Sequence, residues 1–345
     1  MKAWAIVLCL AIAGCADSTP EVVEDPEPTI TSDPQNATVN PVAWQQGDWF
    51  GHHIFFGAAD TEGYHIDVVL AGEMGDQYHF VTDDPEIARF EAVLDVPITG
   101  AISKADLDTT GFGGAWELYD FPLTDGKTWT GTIQYDLFES YDLTFTATYS
   151  DDVSTFKEGR PGFDIVGVSS NGTVLLETDY DPSFGWYNEF KLYTETGPGD
   201  DFIFRSLHMG WGHNWTGTAY EYDADLIIDD EGIMVAPNGQ VQNMAQPMVM
   251  NVSQESTHLM MLQYCFAYAG ANDGRLRAPS GTEYDCQSTS LPDGPDPNAW
   301  PGVGDGDFRE IPHETGNWLY NRISAGFVAG GGLELWELTE QPIEF

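Results

Sequence analysis

The side chains able to do chemistry in this sequence are histidines, carboxylates and cysteines, and their spacing decides which chemistry is open to them. Eight histidines are present. His52, His53, His65 and His79 gather in one stretch, and His208 and His213 flank Trp211 and Trp215. Imidazoles at such density suit zinc, which needs ligands held in a fixed array. His52 and His53 are adjacent, however, so on a strand they fall on opposite faces and at most one joins any site. His313-Glu314 has no second histidine at the metalloprotease spacing. Asp108-Thr109-Thr110-Gly111 carries one threonine more than the Asp-Thr-Gly of aspartic proteases, and no partner copy exists. Neither a Gly-x-Ser-x-Gly nucleophile elbow nor a phosphate-cradling glycine loop occurs. A carboxylate pair for glycoside hydrolysis cannot be singled out among 56 acids. No catalytic, cofactor-binding or metal-ligating residue is therefore expected. Binding is the leading expectation, with a hydrolase of envelope glycans or peptides as the alternative.

The four cysteines sort by position. Met1 to Gly14 has one basic residue, Lys2, then a short apolar run containing Cys9, the layout of a signal peptide. That run is shorter than the ~20 residues a membrane-spanning helix requires. It ends in Ile12-Ala13-Gly14-Cys15, which resembles the lipobox of bacterial and archaeal lipoproteins. The resemblance implies cleavage before Cys15, lipidation of its thiol, and a location on the outer face of the membrane. Residues 15–41 are rich in Pro, Thr, Asp and Glu and lack a core-forming pattern, as a disordered tether would. Cys265 and Cys286 remain as an even pair in an oxidising compartment, where a disulfide is the expected state.

Charge narrows the partners. Twelve Lys and Arg stand against 56 Asp and Glu, for a formal net charge of -44 over 345 residues. Such a chain repels phosphates, which excludes nucleic acid. The acids are spread along the chain, as in proteins kept soluble in concentrated salt, where repulsion is screened. A cation-binding surface is the functional alternative. Asp305, Asp307 and Glu310 could hold calcium but do not follow the EF-hand spacing, and a solvated acidic loop is expected there.

These residues must be carried mainly by strands. Tyr141, Leu143, Phe145, Ala147 and Tyr149 alternate with Asp142, Thr144, Thr146 and Thr148, a period of two with one apolar face. Further strands are expected at 64–70, 77–82, 173–180, 186–194, 218–228 and 333–338, with turns at Asp125-Gly126, Asn171-Gly172, Asn238-Gly239 and Asp273-Gly274. One helix is expected, capped by Asp84, opened by Pro85, apolar at Ile87, Phe90 and Leu94, and ended by Pro97. Seven tryptophans crowd the first part of the chain, from Trp44 to Trp215. They either stack sugars or lipids on an open face or build the core, and their density favours the core. Trp129-Thr130-Gly131-Thr132 recurs as Trp215-Thr216-Gly217-Thr218, either a relic of duplication or a repeated way of entering a strand.

The fold expected is all-β and mainly antiparallel. A sandwich or barrel-like domain with one short helix occupies 42–233, and a jelly-roll-like sandwich occupies 241–345. The second part resembles the jelly-roll modules appended to secreted proteases, of the pre-peptidase C-terminal and P-domain type. The resemblance rests on Pro279-Ser280-Gly281-Thr282, on Gly316-Asn317-Trp318, and on the closing Leu333-Glu334-Leu335-Trp336-Glu337-Leu338. It implies a β-sandwich able to bind calcium or carbohydrate, although no protease domain precedes it here. The first part resembles exported lipoproteins of unknown function, through Asp125-Gly126-Lys127-Thr128-Trp129 and Tyr180-Asp181-Pro182-Ser183-Phe184-Gly185-Trp186-Tyr187. Acidity and lipobox together look archaeal. Partners implied are the membrane, through the lipid alone, and a glycan or surface protein.

Overall fold

Alternation makes the strands. The computed structural model describes residues 38–57, 63–111, 113–134, 140–154, 159–195, 197–198, 202–232, 241–267, 270–289, 305–326 and 329–345. Cys15, the tether to residue 37 and Asn238-Gly239 lie outside them. In chain order come β1 (Thr38–Val39), β2 (Trp49–Phe56), β3 (Tyr64–Met74), β4 (Gln77–Thr82), helix α1 (Pro85–Leu94), β5 (Gly100–Ser103), β6 (Thr109–Gly111), β7 (Gly114–Trp116) and β8 (Leu123–Thr124). Then follow β9 (Thr128–Gln134), β10 (Ser140–Ser150), β11 (Gly162–Val168), β12 (Val174–Tyr180), β13 (Glu189–Tyr193), β14 (Phe202–Gly212) and β15 (Thr218–Gly232). The chain finishes with β16 (Val241–Val252), β17 (His258–Ala267), β18 (Gly270–Arg277), β19 (Glu283–Thr289), β20 (Asp305–Ile311), β21 (Gly316–Gly326) and β22 (Ala329–Glu344). The fold is all-β and antiparallel, with α1 its one helix among the described residues.

Strand β10 shows how the pattern acts. Leu143, Phe145 and Ala147 are buried, while Asp142, Thr144 and Thr148 face water. The neighbouring strands repeat this, and the sheet of β4, β3, β2, β14, β13, β12, β11, β10, β9, β7 and β6 curls until it faces itself. Trp116 on β7 lies 5.2 Å from Phe190 on β13, although a flat sheet with ~4.8 Å between strands would hold them much farther apart. β5 pairs with β4 at one end and packs beside β6 at the other, so the sheet closes as a barrel-like shell. Aromatic and aliphatic side chains from every wall fill it, among them Trp44, Trp116, Phe145, Phe163, Tyr180 and Phe204.

The last eight strands make a jelly roll. β15 pairs with β22, β16 with β21, β17 with β20 and β18 with β19, and the cross-links β22–β17 and β21–β18 wrap this long hairpin into two four-stranded sheets. Leu259, Met261, Leu333 and Leu335 of one sheet bury against Val252, Leu276, Trp318 and Tyr320 of the other. Its first strand, Thr218–Gly232, is one that sequence patterning assigned to the preceding unit; in the structure β15 runs its length along β22. A single bridge, Tyr220 to Thr82, joins β15 to β4 and continues the shell's sheet into the jelly roll.

Helix α1 forms where expected. Asp84 accepts from the Glu86 and Ile87 N–H groups at 2.8 and 3.1 Å, and Pro85 opens the first turn. Its Ala88 and Phe90 cover the outer face of the β15–β22–β17 sheet, against Tyr222, Met260 and Trp336. Two sequence expectations fail. Asp273-Gly274 is no turn but lies inside β18, where Gly274 sits between Arg322 and Cys286 in a central ladder. Asp305 to Glu310 is strand β20 rather than a loop. In both cases long-range pairing overrides local turn and loop propensity. The repeated tetrapeptide is used differently in its two places: Trp129 lies within β9, whereas Trp215 precedes β15 and donates its indole N–H to Asp67 at 3.0 Å.

Candidate functional site

The residues singled out in the sequence are dispersed. His52 points inward and is fully buried, while His53 faces outward opposite His65, their rings 6.5 Å apart. His213 pairs with Asp48 at 2.6 Å, and His79 with Glu221 at 3.2 Å. His52 and His208 are direct ladder partners in the shell interior. His313 meets the Ser256 hydroxyl at 2.9 Å. Glu310 is engaged by Arg89 at 3.0 Å, tying α1 to β20, and the side chains of Asp305 and Asp307 lie outside the described residues. Among the described residues no three His, Cys, Asp or Glu side chains are grouped to hold a metal. Cys265 falls on β17 and Cys286 on β19, strands that pack against each other across the jelly roll; their side chains also lie outside the described residues. Trp44, Trp116 and Trp186 are core, and Trp211 is the exposed one, at 37 %.

A concave site opens where the two halves of the molecule meet. The backbones of β4 and β15 pair only at Thr82–Tyr220, and α1 lies over the fork between them. The cleft beneath has a volume of about 240 Å³, with His79, Glu91, Asp95, Tyr220, Glu221 and Tyr222 among its lining residues. Glu91 is its chemical centre. Its Oε2 accepts the Thr99 hydroxyl at 2.5 Å and the Val96 N–H at 2.6 Å. Its Oε1 occupies the space a side chain would need at Gly100, whose φ of +70° already favours glycine. Burial pushes the Glu91 carboxyl up to about 7; the two donors oppose the shift, and Asp95 and Glu221 add to it. Burial raises Asp95 as well. His79 is held by Glu221 through Nε2, while its buried Nδ1 has no hydrogen-bond partner among the described residues. The cleft thus offers a carboxyl poised between its two protonation states, an oriented imidazole and two phenols.

Sequence reasoning reached His79 but not Glu91 or Glu221. One signal was present: Glu91 sits in the last turn of α1, where the helix dipole favours a cation and disfavours an acid. A breach of a local rule of this kind often marks a site.

A second polar cluster lies inside the shell. The turn Asp181–Trp186 between β12 and β13 is folded inward rather than exposed. Asp181 Oδ1 accepts from the Ser183 N–H and hydroxyl at 2.9 and 2.6 Å, and Asp179 accepts from the Asn188 and Glu189 N–H groups at 2.7 and 3.0 Å. Gly185, with φ +84°, passes so close to Val42 that a side chain would not fit. Segment 40–46 straps this turn, the Trp44 indole donating to the Phe184 carbonyl at 2.9 Å.

Comparison with known proteins adds little. No family model matches the chain, and no curated protein matches it. Among solved structures, exo-β-1,3-galactanase from Phanerochaete chrysosporium is 7% identical, with 87% of this chain and 86% of that one covered, at a TM-score of 0.18. The Bacillus thuringiensis insecticidal proteins Cry1Da (7% identical) and Cry8Ea1 (8%) cover 86% and 88% of this chain and 52% and 54% of their own, each at a TM-score of 0.18. Similarity at that level carries no argument about fold or activity.

Proposed function

We propose that this chain is a lipid-anchored protein of the outer membrane face that binds a small polar ligand, a glycan unit, in the cleft between α1, β4 and β15. The observation that carries the reading is the convergence of Glu91, His79 and Glu221 on one concave site, whereas the shell interior is filled with side chains. At about 240 Å³ the cleft lies just below the ~300–1,000 Å³ of most ligand pockets, which suits a monosaccharide-sized group. The lipid anchor rests on Ile12-Ala13-Gly14-Cys15 and the tether after it. No helix among the described residues is long and apolar enough to cross a membrane. One experiment tests both parts. The Cys15→Ser chain should leave the membrane fraction, and the released protein, titrated calorimetrically with envelope oligosaccharides, should bind a glycan about tenfold more weakly once Glu221→Gln is added. A variant that stays membrane-bound with normal processing removes the anchor; binding indifferent to Glu221→Gln removes the cleft.

A second reading is a hydrolase of envelope polymers. It is favoured by Glu91 alone, since an acid held near neutrality is what general acid catalysis asks for. Glu91→Gln would then abolish turnover while leaving binding in place. The pre-peptidase-type kinship of the jelly roll and a Cys265–Cys286 disulfide belong to the same extracellular proposal; the disulfide is supported by the packing of β17 on β19.

The acidity is proposed as adaptation to salt. At -44 the folded chain repels itself in dilute buffer. Its thermal midpoint should rise from dilute to molar sodium chloride, and a flat or falling curve would remove the proposal.

A further inference from the structure

We propose that the inward turn Asp181–Trp186 is a pH-controlled plug, seated on an uncharged histidine pair and opened when those histidines acquire protons. The geometry is specific. His52 and His208 face each other across β2 and β14 with ring centroids 5.6 Å apart, at 0% and 5% exposure. His52 Nδ1 meets the Ser206 hydroxyl at 3.2 Å, which also accepts from Tyr187 at 3.1 Å. His52 Nε2 and both nitrogens of His208 have no hydrogen-bond partner among the described residues. Phe184, at the tip of the turn, lies flat on His208, 4.3 Å away at 10°. A proton on His208 would create a buried cation with no acceptor, and a protonated His52 would have none for its Nε2–H.

The charged neighbours do not relieve it. From the segment before β11, Arg160 pairs with Asp181 at 3.4 Å and lies over Phe184, adding positive potential beside His208. Asp181 is already occupied by Arg160, Asn188 and Ser183. Farther from the pair, His213 is paired with Asp48, beyond the Trp211 ring that stacks on Phe184. On β3, His65 contributes further repulsion to His52. Under the turn, Asp179 meets N–H donors, the phenols of Tyr119 and Tyr187, and the like charge of Asp181, which adds to its upward shift.

The proton count gives the sign. Burial, with Arg160 adding, lowers His208 to about 4, and burial lowers His52 well below its ordinary value. Burial raises Asp179 to about 8 against its N–H donors. Between pH ~6.5 and ~4, opening the plug exposes two imidazoles that take up protons and one carboxyl that loses one. The net uptake rises from near zero at pH ~6.5 to about one proton below pH ~5.5, where opening becomes roughly tenfold more favourable per unit of falling pH. Between pH ~6.5 and ~8 the imidazoles are neutral in both states, and opening releases the Asp179 proton. Opening then becomes roughly tenfold more favourable per unit of rising pH. The plug is most secure near pH ~6.5 and loosens on both sides.

Hydrogen exchange of the full chain at constant molar salt, corrected for intrinsic rates, tests this on peptides covering Ser183 to Glu189. Opening should increase about 30-fold from pH 6.5 to 4.5, while peptides from β10 keep their protection. His208→Phe preserves the ring stack and removes one acid-side proton, so its acid limb should flatten while its alkaline limb persists. Equal protection at pH 4.5 and 6.5 in the parent overturns the proposal. So does an unchanged acid limb in His208→Phe, or parallel loss of protection in β10, which would be global unfolding. Should His208→Phe not fold, imidazole titration by NMR in the unmodified chain decides: either histidine titrating near 6.5 in the folded state overturns the proposal.

Discussion

Trp44→Ala should lower the unfolding free energy by about 3–5 kcal/mol. Trp44 is 4% exposed and packs against Phe50, Tyr78, Phe80 and Trp186 at ring-centroid distances of 5.3, 5.1, 5.4 and 5.0 Å. Those side chains come from β2, β4 and the inward turn, so truncation leaves a hole that no single element can move to fill. The Phe184 carbonyl loses its indole donor as well. Trp211→Ala is the control, because that ring is partly exposed and its loss should cost under ~1 kcal/mol. Denaturant unfolding in molar salt measures both. Equal effects for the two tryptophans would show that the strap and turn do not hold the shell together.

Breaking the buried ion pair of the jelly roll should be comparably severe. Arg322 is 2% exposed and grips Asp230 bidentately, Nε to Oδ2 at 2.7 Å and Nη2 to Oδ1 at 3.1 Å. The Tyr320 hydroxyl donates to Oδ2 at 2.8 Å, and burial together with Asp230 raises that phenol far above its ordinary value. Arg322→Met strands a largely buried carboxylate with one hydroxyl donor, a loss of about 3–5 kcal/mol. Arg322→Met with Asp230→Asn removes both charges and should recover at least half of that, because most of the penalty is the uncompensated charge rather than the missing contact. A double variant no better than the single would mean that Arg322 acts through packing of its stem. Asp230 on β15 and Arg322 on β21 lie in opposite sheets, so the pair also fixes how the two sheets stack.

The sequence alone determined the class of the fold and much of its local detail. Period-two alternation between Tyr141 and Tyr149 needs no partner to be read, because a strand's two faces are fixed by its own pleat. The same holds for helix α1, whose cap and first turn are set by Asp84 and Pro85. Opposite faces for His52 and His53 followed from adjacency. A jelly-roll form for the last strands was expected only through a resemblance, and it is the strand order that establishes it. Tertiary structure decided everything that depends on which strand lies beside which. It gave β15 to the jelly roll, drew Asp273-Gly274 into a central strand, and turned Asp181–Trp186 inward, where Asp181 and the adjacent Asp179 of β12 satisfy backbone N–H groups that a loop normally offers to water. The candidate site is of that second kind. Glu91, His79 and Glu221 belong to a helix and two strands that meet at one bridge, and no local pattern records that meeting. Nor does any local pattern record burial, which is the physical reason Glu91 differs from the exposed acids of this chain.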